Sequence, residues 1–251
     1  MSLRFAPLAM ALMTGGLPYA VAQDWPAPVQ AIAEQGLTIH GSFEAPGGLT
    51  GYAASYQSQE VAIYLTSDGE HAVVGNLIDA EGKNLSSDPL SSLVRGPQDA
   101  ATWADLEESH WVLDGDPDAP HIVYTFTDPN CPFCQQLWEQ TRPWVEAGKV
   151  QLRHILVGIL QQDSPQKAMA ILSSEAPEDA LHDHNQGDTP PIDGPFSAEI
   201  EQTLYENHEL MQEYGLQATP STFYQVDDRV EVVQGLPRDD RLTEVMGGPS
   251  P

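Results

Sequence analysis

The first third of the chain alternates short segments rich in apolar and β-branched residues with turn residues. Residues 26–35 have the spacing of a short helix, which Gly36 ends. Turn signals separate the strand-like segments that follow, and Asp68-Gly69 is typical of a two-residue hairpin. These segments cover residues 37–45, 51–57, 61–66 and 71–78. The pattern predicts an α+β domain, one helix on a small meander, with a thin core and an exposed edge strand.

A polar stretch with two prolines marks a boundary, after which residues 98–110 carry Trp103, Leu106 and His110 at helical spacing. We interpret this segment as a linker helix. The pattern then changes to strand, helix, strand, and the helix begins near Cys131 and contains Pro143. Such a unit implies a right-handed crossover and a parallel strand pair, which predicts an α/β domain.

The remainder of the chain is predominantly helical and then extended again. The predicted helices cover residues 164–174 and 196–214, and the intervening residues 175–195, rich in Pro, Asp and Gly, have no clear pattern. Ala218-Thr219-Pro220 precedes the last predicted elements. These elements are strands over 221–226 and 230–234 and a helix over 237–246. A helical insertion of about residues 163–214 within the α/β domain is therefore expected.

The amino terminus has the features of a secretory signal. Arg4 precedes an apolar stretch, and Ala20-Val21-Ala22 forms a small-x-small cleavage site. Glycines and a proline interrupt the apolar stretch, so it is too short to remain as a bilayer anchor. We expect cleavage after about Ala22 and export to an oxidising compartment, the periplasm; an uncleaved anchor is the alternative that this site disfavours.

The chain is strongly acidic, with 10 Lys and Arg against 37 Asp and Glu and a net charge of −27. This charge argues against nucleic acid and anionic membrane surfaces as partners. The acids could line a groove that selects basic or polar clients, or they could serve solubility in a salty habitat. Their spread along the whole chain favours the second interpretation.

The two cysteines stand as Cys131-Pro132-Phe133-Cys134. This spacing occurs in redox centres, in half of a zinc site and in structural disulfides. A tetrahedral zinc site needs two further ligands, and the nearest candidates, His182 and His184, lie in the predicted insertion. Two cysteines are also too few to staple a chain of this size. The sequence therefore favours redox activity, with no metal and no cofactor.

The order of the motif suggests a role for each cysteine. Cys131 follows a strand and opens a helix, and Pro132 suits the first helical position because its missing N–H would be unpaired there. The positive end of the helix dipole should lower the Cys131 pKa and favour the thiolate. Cys134, one turn further, would resolve a mixed disulfide. We expect Cys131 to be the solvent-accessible thiol and Cys134 the shielded one.

The strand, the Cys-x-x-Cys helix with Pro143 and the distant Thr219-Pro220 together resemble a thioredoxin-fold disulfide enzyme. The resemblance implies that the Thr219-Pro220 bond is cis and packs beside Cys131, with Pro132 and Phe133 as further support of the site. Two departures follow from the same comparison. Thr125 stands where many thioredoxins have a buried acid, which removes a base for the inner thiol, and Phe133 stands where related oxidases usually have histidine.

Further segments are similar to the periplasmic thiol:disulfide interchange proteins of the DsbC/DsbG family. The matching segments are Phe43-Glu44-Ala45-Pro46-Gly47-Gly48, Ile63-Tyr64-Leu65-Thr66, Ser109-His110-Trp111, Arg142-Pro143-Trp144-Val145 and Gly148-Lys149-Val150-Gln151-Leu152-Arg153. The family implies a cystatin-like N-terminal dimerisation domain over residues 23–87, a linker with a helix over 88–117 and a thioredoxin-like catalytic domain over 118–251. It also implies a V-shaped homodimer kept reduced by a membrane reductase of the DsbD type.

The resemblance implies a reductase or isomerase that acts on cysteine-containing periplasmic clients, either on wrong disulfides or on sulfenic acids. Two alternatives stay open at this point. One is an oxidase of the DsbA type that donates its disulfide, which a dimerisation domain would not require. The other is mainly a holdase chaperone that uses the cleft of the dimer, a property that could also accompany the enzyme.

Overall fold

The computed structural model describes residues 24–57 and 59–251. The chain divides into two compact units, the first ending at Asn84 and the second beginning at Leu85. The predicted signal peptide over residues 1–22 lies outside the described residues. No helix within the described ranges is long and apolar enough to cross a membrane.

The first unit packs one helix on a four-stranded sheet whose neighbouring strands are all antiparallel. Its elements are α1 (Ala27–Ala33), β1 (Thr38–Glu44), β2 (Thr50–Tyr56), β3 (Gln59–Leu65) and β4 (Ala72–Val74). Val29 of the helix and Ile63 of the third strand are fully buried in one small core. The α+β meander predicted for this part of the chain is therefore confirmed.

The turn between β3 and β4 differs from the predicted two-residue hairpin. The Thr66 N–H donates to the His71 carbonyl, so the loop between them contains four residues. The Asp68 carboxylate accepts from the Thr66 hydroxyl and from the Glu70 N–H, and these bonds hold a wider turn. The prediction was wrong because the Asp68 side chain bonds its own loop. The fourth strand is also shorter than the expected 71–78.

The second unit is a five-stranded sheet in the order β5-β7-β6-β8-β9, covered by helices on both faces. Its strands are β5 (Trp111–Asp114), β6 (His121–Thr127), β7 (Val150–Leu156), β8 (Ser221–Val226) and β9 (Arg229–Gln234). Its helices are α2 (Ser87–Leu90), α3 (Gly96–Glu108), α4 (Pro132–Glu146), α5 (Ser164–Leu172), α6 (Pro177–Gln186), α7 (Ala198–Glu213) and α8 (Asp240–Val245). A single π-helical turn, Ser91–Arg95, joins α2 to α3.

Among the described strands of this sheet, β6 and β7 form the parallel pair, as the strand–helix–strand pattern predicted. The alternation of side chains along β6 separates two cores. Tyr124 and Phe126 face Leu106 of α3 and Met211 of α7, while Val123 faces α4 and α8. Each of these buried apolar side chains contributes about 1.5–3 kcal/mol to folding.

Several elements were not predicted from the sequence, among them α2, β5 and α6. The edge strand β5 has only four residues, and it is defined by antiparallel pairing with β7. Helix α6 lies in the segment without a clear pattern, where Gly187 ends it in the left-handed conformation with φ of 103°. Its Leu181 packs with Leu156 and Ile171, so tertiary contacts stabilise a helix whose sequence pattern is weak.

Candidate active site

The two cysteines lie at the start of α4, just after the carboxyl end of β6. Cys131 is the residue before the helix, and its sulfur accepts a hydrogen bond from the Cys134 N–H at 3.4 Å. Pro132 occupies the first turn. The parallel strand and its crossover helix therefore place the Cys131 sulfur at the positive end of the helix.

The turn between β6 and α4 is organised by a buried carboxylate that the sequence analysis did not single out. Asp128 is 1% exposed, and it accepts hydrogen bonds from the N–H groups of Asn130, Ile159 and Leu160 and from the Ser164 hydroxyl. These bonds tie the turn before Cys131 to the loop after β7. An acid three residues before a cysteine motif resembles any loop residue, so the sequence carried no specific signal.

Thr219 and Pro220 lie beside the cysteines, although they are about ninety residues distant in sequence. The Thr219-Pro220 bond is cis, as predicted, and the Cys131 thiol donates to the Thr219 carbonyl oxygen at 3.2 Å. The Thr219 side chain lowers the pKa of both cysteines, and its hydroxyl oxygen is buried without a hydrogen-bond partner in the described part of the chain. It is therefore available to donate to a thiolate.

The environments of the two sulfurs separate their acidities. The pKa of Cys131 is lowered to about 6 against the opposing effect of burial: the hydrogen bond from the Cys134 side chain contributes most, and the Thr219 side chain and the N–H groups of Cys134 and Phe133 contribute the rest. Burial, followed by the neighbouring Cys131, raises the pKa of Cys134 strongly. Cys131 is therefore largely thiolate at neutral pH, while Cys134 holds its proton.

The two cysteines do not differ in solvent exposure, although Cys131 was expected to be the more exposed. Cys131 and Cys134 are each 4% exposed, so the prediction that Cys131 is the solvent-accessible thiol was wrong. In this conformation the Thr219 carbonyl oxygen lies 3.2 Å from the Cys131 sulfur. Phe133, in contrast, is 49% exposed and presents an apolar ring from within the motif.

A cavity of about 270 Å³ opens beside the cysteines. It is lined by both cysteines, by the β6–α4 turn and by helix α6 of the insertion. His184 of that helix hydrogen-bonds the Pro129 carbonyl through Nε2 at 2.7 Å, and burial lowers its pKa. The insertion is thus attached to the active-site turn, and within the described residues no group of three or more His, Cys, Asp or Glu could hold a metal ion.

These features define the class of protein. A five-stranded sheet with a Cys-x-x-Cys motif at a helix start, a thiolate-forming first cysteine and an adjacent cis-proline constitutes a thioredoxin-like thiol–disulfide oxidoreductase. In agreement, residues 116–247 match the thioredoxin-like domain family, and residues 20–87 match the disulfide bond isomerase protein N-terminal domain. The catalytic domain of Proteus mirabilis ScsC has the same fold at a TM-score of 0.51, with 23% identity over 61% of this chain and 96% of that one.

Full-length relatives define the family. The chain is 48% identical to the thiol:disulfide interchange protein DsbG of Pseudomonas aeruginosa, over 96% of this chain and 95% of the relative. It is 42% identical to DsbG of Escherichia coli, over 91% of this chain and 94% of the relative. The chain belongs to the DsbG family of thiol:disulfide interchange proteins.

Proposed function

We propose that this chain is exported to the periplasm, loses its signal peptide after about Ala22 and acts there as a disulfide reductase and isomerase. The observation that carries the proposal is the asymmetry of the cysteines, with a thiolate-forming Cys131 beside a Cys134 that keeps its proton. In such a centre the Cys131 thiolate attacks the client first, and Cys134 resolves the mixed disulfide afterwards. The match to the disulfide bond isomerase N-terminal domain supports this function over the oxidase alternative.

In the proposed reaction the Cys131 thiolate attacks one sulfur of a wrong client disulfide. A Cys131–client disulfide forms, the client S–S bond breaks and the second client sulfur leaves as a thiolate. With a sulfenylated client the same attack releases water after protonation. Cys134, or another client thiol, then breaks the mixed disulfide. Pro132, Phe133, Thr219 and Pro220 support Cys131 and the docking of the client.

We further propose a homodimer formed through residues 23–87, with residues 88–117 as the linker and 118–251 as the catalytic domain. A small sheet with an exposed edge supports the use of this domain in pairing. A membrane reductase of the DsbD type would return the Cys131–Cys134 disulfide to the dithiol. Chaperone activity would accompany the redox reaction.

The test uses the purified mature protein and a client with scrambled disulfides. The reduced protein should restore client activity, whereas the oxidised protein should be a poor donor of disulfides to the same client in its reduced form. A protein that only oxidises would overturn the proposal in favour of the oxidase. Suppression of client aggregation that survives Cys131→Ser/Cys134→Ser, without any restoration of activity by the intact protein, would favour the holdase.

Clients can be identified in cells with Cys134→Ala, which should accumulate mixed disulfides through Cys131. The matched control is Cys131→Ala/Cys134→Ala, which should trap nothing. Covalent complexes that persist in the double variant would show that trapping does not report on the proposed nucleophile.

A further inference from the structure

A buried array of polar side chains lies between the sheet and α4, outside the site described so far. His154 of β7 is 2% exposed, and its Nδ1 lies 3.1 Å from the Thr127 hydroxyl of β6. Its Nε2 lies 3.4 Å from Asp114 Oδ2 on β5. The three side chains join three strands of the sheet in one line.

The end of the array that is farther from the cysteines is the Asp114 carboxylate, which carries a negative charge. Arg142 of α4 donates through Nη1 to Asp114 Oδ1 at 2.9 Å and through Nη2 to Oδ2. Hydrogen bonds from His154 and Arg142 outweigh the effect of burial and lower the pKa of Asp114 to about 2. Asp114 is therefore ionised at neutral pH and can only accept hydrogen bonds.

This charge fixes the direction of the other two hydrogen bonds. Because Asp114 accepts, the neutral imidazole carries its proton on Nε2 and leaves Nδ1 as an acceptor. The Thr127 hydroxyl then donates to Nδ1. A hydroxyl, an imidazole and a carboxylate in this order form a proton-accepting arrangement.

The near end of the array meets the active-site cavity. Thr127 lines the same cavity of about 270 Å³ as Cys131 and Cys134. A polar cavity of this size has room for water that could bridge to a thiol. Thr125, which replaces the acid of many thioredoxins, is the strand neighbour of His154, but its hydroxyl is paired with Thr222 at 3.2 Å.

We propose that Thr127, His154 and Asp114 accept the proton of Cys134 when Cys134 resolves the mixed disulfide. This inference rests on the proposed thiol–disulfide chemistry. His154 acts through Thr127 and is a positioning residue. His154 takes the place of the acid that is absent at position 125. It serves as the base for Cys134, the cysteine whose pKa is raised.

The step balances as follows. Cys134 transfers its proton through water in the shared cavity and the Thr127 hydroxyl to His154 Nδ1, and its sulfur attacks the Cys131 sulfur. The Cys131–Cys134 bond forms, the bond from Cys131 to the client breaks, and the electron pair leaves on the client sulfur. The client thiolate takes up a proton from solvent, and the imidazolium returns its own to solvent. Cys134 is oxidised and the client sulfur is reduced.

The groups that face the imidazole are limited. Asp114 faces it from β5, and Arg142 faces Asp114 from α4. From β6 the facing groups are the hydroxyls of Thr127 and Thr125, which do not titrate near neutral pH. Among these contacts His154 is therefore the group placed to accept a proton from the Thr127 hydroxyl.

The test follows the reaction of the reduced full-length protein with a stoichiometric chromogenic aromatic disulfide. Attack by Cys131 releases the first chromophoric thiolate in a bimolecular phase. Resolution by Cys134 releases the second in a unimolecular phase, which Cys134→Ala should abolish. The rates of both phases are measured at neutral pH.

Thr127→Val and His154→Gln should each slow the second phase by about 100-fold, the lower range of what a positioned proton acceptor contributes, and leave the first phase unchanged. Thr127→Ser should restore the wild-type rate. The matched control is Thr141→Val, since Thr141 is a buried hydroxyl of α4 that donates only to the helix carbonyls of Leu137 and Trp138.

Second phases within about twofold of wild type in Thr127→Val and His154→Gln would overturn the inference, as would an equal effect of Thr141→Val. If His154→Gln fails to fold, the Val and Ser variants at position 127 decide the question. Loss of the first phase in the wild-type protein would instead contradict the proposed nucleophile, so the two failures are distinguishable.

Discussion

At the scale of single residues, Cys131 and Cys134 have the same side chain and the same exposure but opposite acidities. The difference arises from the direction of their hydrogen bonds. The Cys131 sulfur accepts hydrogen bonds from the Cys134 side chain and from N–H groups of the helix start. These bonds stabilise its negative charge. The Cys134 sulfur is buried away from water and lies beside the Cys131 sulfur. Both effects disfavour a negative charge on Cys134.

Alkylation of the reduced protein should measure this difference. We expect the rate at Cys131 to rise with pH around a midpoint near the pKa of about 6, while Cys134 remains unlabelled. In Cys134→Ala the midpoint should move upward, because the largest stabilising contribution comes from the Cys134 side chain. Peptide mapping of the labelled protein identifies the site, and faster labelling of Cys134 would reverse the proposed roles.

Thr219 offers a second test at the same scale. Thr219→Val removes a buried hydroxyl that lowers the pKa of Cys131, so this pKa should rise and the centre should become more reducing. Equilibration with a glutathione buffer measures the potential. Thr219→Ser, which keeps the hydroxyl, is the matched control, and a more oxidising Thr219→Val would contradict the assignment.

At the scale of elements, Asp114 joins β5, β7 and α4. Its folded pKa of about 2 lies below the ordinary 3.8. A carboxyl whose pKa is lowered by folding stabilises the fold at pH values above its pKa in the unfolded chain. This contribution is lost as the pH falls from about 4 to about 2. The shift corresponds to about 2 kcal/mol of unfolding free energy at neutral pH.

Asp114→Asn should therefore lower the free energy of unfolding at pH 7 by about 2 kcal/mol and reduce its acid dependence. Urea denaturation at neutral and acid pH measures both quantities. Asp118→Asn, at an exposed position in the loop after β5, is the control and should behave as wild type. Equal acid dependence in wild type and Asp114→Asn would show that Asp114 does not carry this contribution.

At the scale of the whole molecule, the second unit has its own sheet and cores and includes α3 and β5. A truncated chain beginning near Asp116 would lose β5 and the buried Leu106, so the appropriate start is Leu85. We expect the chain Leu85–Pro251 to be monomeric in sedimentation and the full mature chain to be dimeric. A dimeric Leu85–Pro251 would place the interface outside residues 23–87.

The sequence by itself determined the features that depend on neighbouring residues. The strand at 121–127, the helix start at Cys131 and the parallel pair followed from side-chain periodicity, because local propensity and burial agree there. The lower pKa of Cys131 also followed, since its main causes lie within one helical turn. The likeness of Thr219-Pro220 to thioredoxin-fold enzymes supplied the correct contact between the cysteines and a segment about ninety residues away.

Only the tertiary structure decided what depends on residues brought together from distant segments. Helix α6 is stabilised by Leu156 and Ile171, and β5 by its pairing with β7, so neither had a sufficient local pattern. Asp128 is an ordinary loop acid in the sequence and the centre of four hydrogen bonds in the fold. Thr127, His154 and Asp114 come from three strands. Their alignment exists only once the sheet has formed, because periodicity specifies which face a side chain occupies but not which side chain from another strand it meets.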